Sequence, residues 1–141
     1  MDTKHALNED DRREESLAIE QVARDFIEAW YSADSERIRG SLHGDLVKRS
    51  VYRDQTDERI RLRRSADADM MVGWTKEGGG SDLPEEDKTY EIEVFDHFRH
   101  IATAKVVSHK YIDYLHLAKI EGSWVIVNDL WELREGEFND T

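Results

Sequence analysis

Cysteine is missing from this 141-residue chain, which rules out both a disulfide framework and a thiol nucleophile. Basic residues are in deficit, 20 against 32 acidic, for a formal charge of −12. A chain this acidic repels nucleic acid and anionic membrane surfaces before contact, so neither is an expected partner. No stretch approaches the ~20 apolar residues of a membrane span. Met1 to Glu15 is mostly charged and holds no apolar signal core, so a cytoplasmic location is the expectation. Gly-x-Ser-x-Gly, phosphate-loop and dinucleotide fingerprints are all absent. Internal repeats are absent too.

What is present is enough to build one core. Hydrophobic residues make up 38% of the chain, with four Trp, five Tyr and four Phe, a load of aromatics that a disordered chain lacks. The length fits one domain. Residues 1–13 read as a flexible tail, 14–135 as the domain and 136–141 as a C-terminal tail. From Ser16, Ile19, Val22, Ala23, Phe26, Ile27 and Trp30 recur at helical spacing. Asp34 or Ser35 caps a second, shorter helix that ends near Gly44. Two short strands follow, Leu46 to Arg53 and Arg59 to Arg63. Ser65 then caps a third helix with Met70, Met71 and Trp74 as its apolar stripe. Lys76 to Asp87 holds three consecutive glycines and the one proline. It reads as a flexible connector able to serve as a lid. Beyond it the period switches to two, giving strands Lys88 to Phe98, Ile101 to Ile120 and Ser123 to Leu133 joined by short turns. A strand of ~20 residues must bend to stay within a domain this size. The expected fold is therefore α+β, three N-terminal helices packed on a curved antiparallel sheet, with a cone open at one end.

Four segments carry a family resemblance: Ala29-Trp30-Tyr31, Leu42 to Arg49, Tyr111 to Leu115, and Gly122 to Asn128. Together they resemble the small bacterial family described as "putative lumazine-binding", in the nuclear transport factor 2-like superfamily that also holds SnoaL-like and ketosteroid isomerase-like proteins. Gly44 stands where relatives usually carry proline. The resemblance implies the cone-shaped fold, a small-molecule ligand and a homodimer formed through the outer sheet face. For that face the strand pattern puts Val106, Ile112 and Ala118 on one side and Val107, Leu115 and Leu117 on the other.

Enzymes of this fold move protons with few groups in a mainly apolar cone, and burial brings a carboxylate toward neutrality without any metal. The residue types available for that are Asp113, Tyr114 and His116 on the long strand, and His43 after the second helix. Regular alternation puts Tyr114 and His116 on one face and Asp113 on the other. Trp30, Tyr31, Met71, Trp74 and Trp131, with Arg49 from the basic group around it, are the candidate ligand contacts. His97 and His100 straddle a turn, so neither a metal site nor a cofactor is expected. Three function classes stay open: an isomerase, dehydratase or cyclase using general acid–base catalysis; a non-catalytic binder of a planar, pteridine-like ligand; and a dimerising accessory module.

Overall fold

The computed structural model describes residues 8–135. The elements are α1 (Glu9–Ser32), α2 (Ser35–Ser41), β1 (Leu42–Arg53), β2 (Ile60–Ala66), α3 (Ala68–Lys76), β3 (Tyr90–Phe98), β4 (Ile101–Ser108), β5 (Tyr111–Ile120) and β6 (Ser123–Leu133). The six strands form one sheet in the order β2-β1-β6-β5-β4-β3. Every neighbouring pair is antiparallel except β1 with β6, which run parallel. Three helices against a curved, mostly antiparallel sheet is the expected α+β class.

Helix α1 starts earlier than its apolar pattern indicates. The Asn8 side chain accepts from the Asp11 amide at 2.8 Å, and Glu9, Asp10 and Asp11 fill the first turn. An N-cap followed by acids suits the positive end of the helix dipole. Residues 9–13 of the expected tail are thus helical, while residues 1–7 and 136–141 lie outside the described residues. Ile19, Ala23, Phe26 and Ile27 are the buried face of α1. Asp34 caps α2, accepting from the Arg37 amide at 3.1 Å, but the helix stops at Ser41 and Gly44 lies inside β1. The strand begins early because Leu42 pairs with Ile126, after which the register shifts before Val47 meets Asn128. Asp67, not Ser65, caps α3. Ser65 belongs to β2, where its hydroxyl donates to the Lys48 carbonyl at 3.2 Å. The α3 stripe also divides: Met71 is buried, while Met70 and Trp74 are exposed.

The long strand expected over Ile101 to Ile120 is two strands, β4 and β5, folded at His109-Lys110. No glycine, proline or asparagine marks this turn. Distant groups hold it instead: the His109 amide donates to the Tyr31 hydroxyl at 3.0 Å, and Arg134 donates to the carbonyls of Lys110 (2.8 Å) and Ser108 (2.9 Å). The fold resets the faces. Val106 pairs with Asp113 and Ala104 with Leu115, so these line the buried concave side together with Leu117. Val107, Ile112 and Ala118 share the convex side, which corrects the grouping read from one continuous strand. The glycine connector is pinned rather than free. The Gly80 amide donates to the Trp30 carbonyl at 2.9 Å, and Gly79 at φ +52° leaves a built Cβ only 2.6 Å from that oxygen. None of the described helices is long and apolar enough to cross a membrane.

Candidate functional site

The concave face is not filled at one end. A cavity of about 720 Å³ opens there between α1, α3 and the ends of β1, β2, β5 and β6. Phe26, Ile27 and Trp30 from α1, Met71 and Trp74 from α3, and Tyr111, Trp131 and Leu133 from the sheet supply its apolar walls. The rings of Tyr111 and Trp131 pack edge to face, 5.1 Å between centroids. Trp131 is fixed by its indole N–H, which donates to Ser65 Oγ at 3.0 Å.

Three charges meet in this apolar setting. On β1, Leu46, Lys48 and Ser50 alternate inward, carrying the ammonium of Lys48 under the sheet's concave surface. Asp113 on β5 and Asp129 on β6 face the same side, in neighbouring registers: Asp113 opposite Trp131, Leu115 opposite Asp129. Lys48 Nζ is 3.4 Å from Asp129 Oδ2 and 3.9 Å from Asp113 Oδ1. The same ammonium stands over the rings of Phe26 (5.4 Å) and Trp131 (5.7 Å), a favourable cation–π setting. Asp113 Oδ1 and both Asp129 oxygens are buried without a hydrogen bond from any described residue. Buried carboxylate oxygens without donors are rare and costly.

One cation cannot neutralise two anions, and the proton balance follows from that. Burial first, then the charge of Asp129, pushes Asp113 well above the usual carboxylate range, with Lys48 pulling only partly the other way. Burial by itself lowers the Lys48 ammonium, but Asp129 and Asp113 outweigh it and hold the group raised. Lys48 therefore remains a cation and is unsuited to form an imine with a carbonyl substrate, which needs the free amine. Burial raises the Tyr111 phenol as well, against the pull of Lys48, so its hydroxyl keeps its proton. A carboxyl group whose proton affinity is raised by burial, beside a fixed cation and inside an aromatic cavity, is suited to proton transfer at carbon.

The candidates drawn from the sequence separate into three places. Asp113, Trp30, Met71, Trp74 and Trp131 line the cavity. Tyr31 is next to it, lining a smaller cleft of about 150 Å³ shared with Trp30, Tyr111 and the glycine loop. Its hydroxyl donates to the Thr89 carbonyl at 2.7 Å. The rest are outside. His43 turns back along its own strand, its Nδ1 accepting from the Asp45 amide. Arg49 is exposed on β1. Tyr114 is 51% exposed on the convex face, stacked on Phe95. His116 faces the same way, 3.3 Å from the Asn128 side chain, in a shallow convex hollow shared with His97 and Asp96. Among the described residues no group of three His, Cys, Asp or Glu is arranged to hold a metal ion.

Two members of the charged cluster, Lys48 and Asp129, were not among the site residues expected from sequence. Lys48 had a legible signal, since Leu46 inward at period two carries Lys48 inward with it. Asp129 had none. Trp124 and Ile126 face inward, and regular alternation then gives Asn128 and Leu130. A register shift opposite His116 and Leu117 leaves one residue unpaired and turns Asp129 and Trp131 inward instead.

A cone of helices on a curved sheet, closed except where an aromatic cavity meets a buried acid, is the nuclear transport factor 2-like fold. The chain belongs to the family described as "Putative lumazine-binding", which matches residues 14–132. No curated protein matches the sequence. Solved structures share the fold at low identity. A nuclear transport factor 2-like protein of unknown function from Silicibacter pomeroyi DSS-3 has a TM-score of 0.66 at 16% identity, covering 86% of this chain and 98% of its own. One from Methylobacillus flagellatus KT gives 0.62 at 19%, covering 93% and 98%. A ketosteroid isomerase-like protein from Erwinia carotovora atroseptica SCRI1043 gives 0.59 at 17%, covering 87% and 98%.

Proposed function

We propose that this protein is a cofactor-independent enzyme, an isomerase, dehydratase or cyclase, that moves protons on a small organic molecule, with Asp113 as the transferring group. The observation that carries this reading is the Asp113 carboxyl in the cavity wall, with an oxygen that no described donor satisfies and a proton affinity raised by burial and by Asp129. In its ionised form Asp113 takes a proton from a carbon next to a carbonyl, and the electron pair moves onto the carbonyl oxygen as an enolate. The Lys48 ammonium, also in the cavity wall, favours that developing negative charge. The protonated Asp113 then returns its proton to the same carbon or, where the substrate carries a β,γ double bond, to the γ carbon of the dienolate, so the carbonyl re-forms, the carboxylate is regenerated and atoms balance. Asp129 holds Lys48 in place. His43, Tyr114 and His116 have no part in this step, because their side chains lie away from the cavity. The protein works as a homodimer through the convex face.

Solvent exchange tests the reading without knowledge of the natural substrate. Cyclic β,γ-unsaturated ketones and 1,3-diketones, incubated with the protein in D2O, are expected to gain deuterium at the acidic carbon. Asp113→Asn should abolish the exchange while Tyr114→Phe and His116→Ala keep it. Equal exchange by the Asp113→Asn protein would remove Asp113 from the role. The competing reading, a non-catalytic binder of a planar ligand, draws on the aromatic walls and the family description. It predicts saturable binding with no exchange on any of these compounds.

A further inference from the structure

The cavity opening is edged by positive charge that the fold does not use. Arg64, on β2, and Lys110, in the β4–β5 turn, both line the cavity from exposed positions. Among the described residues neither has a carboxylate within ion-pair distance. Other cations of this acidic chain do: Arg24 with Glu20, Arg37 with Asp25 and Glu28, Arg61 with Asp54 and Asp57, and Lys119 with Glu15. The backbone beneath the two rim cations is fixed. The Arg134 amide donates to the Lys110 carbonyl at 2.8 Å, and Arg64 pairs in register with Arg49 of β1. The position matters as well. A chain of charge −12 repels anions over most of its surface, so a cationic rim around a low-dielectric cavity focuses an attractive field at that opening. Asp113 lines the same cavity but is buried, whereas Arg64 and Lys110 are exposed.

From this arrangement we infer that the ligand is an amphipathic organic anion: a planar, mostly apolar body that enters between the aromatic walls, with a carboxylate or similar anionic end left at the rim against Arg64 and Lys110. This rests on the reading of the cavity as a small-molecule site, and it fixes the direction of binding. The anionic end stays outward, away from Asp113, and the end nearest Asp113 and Lys48 is uncharged, as a proton-transfer carbon beside a carbonyl must be.

Paired probes of equal shape test it. Binding of 2-naphthoate and of the neutral 2-naphthamide is measured by calorimetry on the full chain. The acid is expected to bind at least ten-fold more tightly at low salt, with the gap narrowing in 0.5 M NaCl as the rim is screened. In the Arg64→Gln/Lys110→Gln protein the acid should lose about ten-fold or more while the amide is unchanged. Equal affinity of acid and amide, or a loss shared by both, overturns the inference and leaves the acid–base reading intact if Asp113-dependent exchange persists. Entry of neither probe overturns the inference and the small-molecule site together.

Discussion

Lys48 Nζ lies 3.4 Å from Asp129 Oδ2, on neighbouring parallel strands whose register pairs the two residues directly. The same ammonium is 3.9 Å from Asp113 Oδ1, so one buried cation faces two buried carboxylates. The pair is satisfied in charge and the third member is surplus. Groups kept in such a state cost stability and are concentrated where a protein does chemistry.

Removing the surplus charge should stabilise the fold. The folded protein holds the Asp113 proton more tightly than the unfolded chain does, so this group's contribution is fully present below the ordinary carboxylate pKa. It is lost as pH rises through the raised folded value. Asp113→Asn is therefore expected to melt higher than the natural protein at pH 7–8, by roughly 1–2 kcal/mol, with the advantage shrinking toward pH 4. Thermal melts across that range check it. A variant less stable at pH 8 than at pH 4, relative to the natural protein, would contradict the assignment.

Removing the shared cation should do the opposite. Lys48→Met leaves Asp113 and Asp129 facing each other with no counter-charge and is expected to cost about 3–5 kcal/mol at pH 7. Acid should restore part of that, because protonation of Asp113 removes one of the two facing anions. Urea unfolding at pH 7 and pH 5 gives both numbers, and a pH-independent loss would mean that packing rather than charge is responsible.

The glycine connector offers a test by geometry. Gly79 sits at φ +52° with the Trp30 carbonyl 2.6 Å from a built Cβ, so Gly79→Ala meets both backbone strain and a main-chain clash. A loss of about 2–3 kcal/mol is expected, with a shift in Trp fluorescence as Trp30 moves. Gly73, inside α3 with nothing within 4 Å of a built Cβ, should behave oppositely. Gly73→Ala is expected to gain about 0.5–1 kcal/mol.

The convex sheet face carries Ile101, Tyr114 and Leu130 exposed, at 63%, 51% and 46%. Apolar groups spread over one face call for cover, and a two-fold homodimer supplies it with the same patch from each copy. Light scattering at micromolar concentration should give twice the 16.5 kDa chain mass. Leu130→Lys combined with Tyr114→Lys should give the folded monomer. A natural protein running at 16.5 kDa would refute the pairing.

A pteridine is expected to bind weakly. Ser65 Oγ, a polar group on the cavity wall, already accepts from Trp131 and donates to the Lys48 carbonyl, so it is not free to orient a heterocycle edge. Titration of lumazine against Trp fluorescence should show no saturable quenching below about 10 μM, roughly −7 kcal/mol. A tighter constant would favour the binder over the enzyme.

Much of the fold was legible because it rests on local periodicity. Ile19 to Trp30 repeats at helical spacing, Asp34 caps as its residue type suggests, and β6 runs from Ser123 to Leu133 as the alternation indicates. Glu121 and Gly122, at φ +49° and +87°, form the tight turn that their dipeptide announces. The resemblance of four short segments supplied the class of cone. The site was decided elsewhere. The His109-Lys110 turn carries no turn residue and exists because Tyr31 and Arg134, far off in sequence, bind its backbone. One unpaired residue in β6 turned Asp129 inward. Local sequence sets which face a residue takes relative to its neighbours, but a bulge or an unmarked turn reverses that phase for everything beyond it. Only strand pairing between distant segments fixes where such reversals fall, and so only the tertiary structure could bring Lys48, Asp113 and Asp129 to one point.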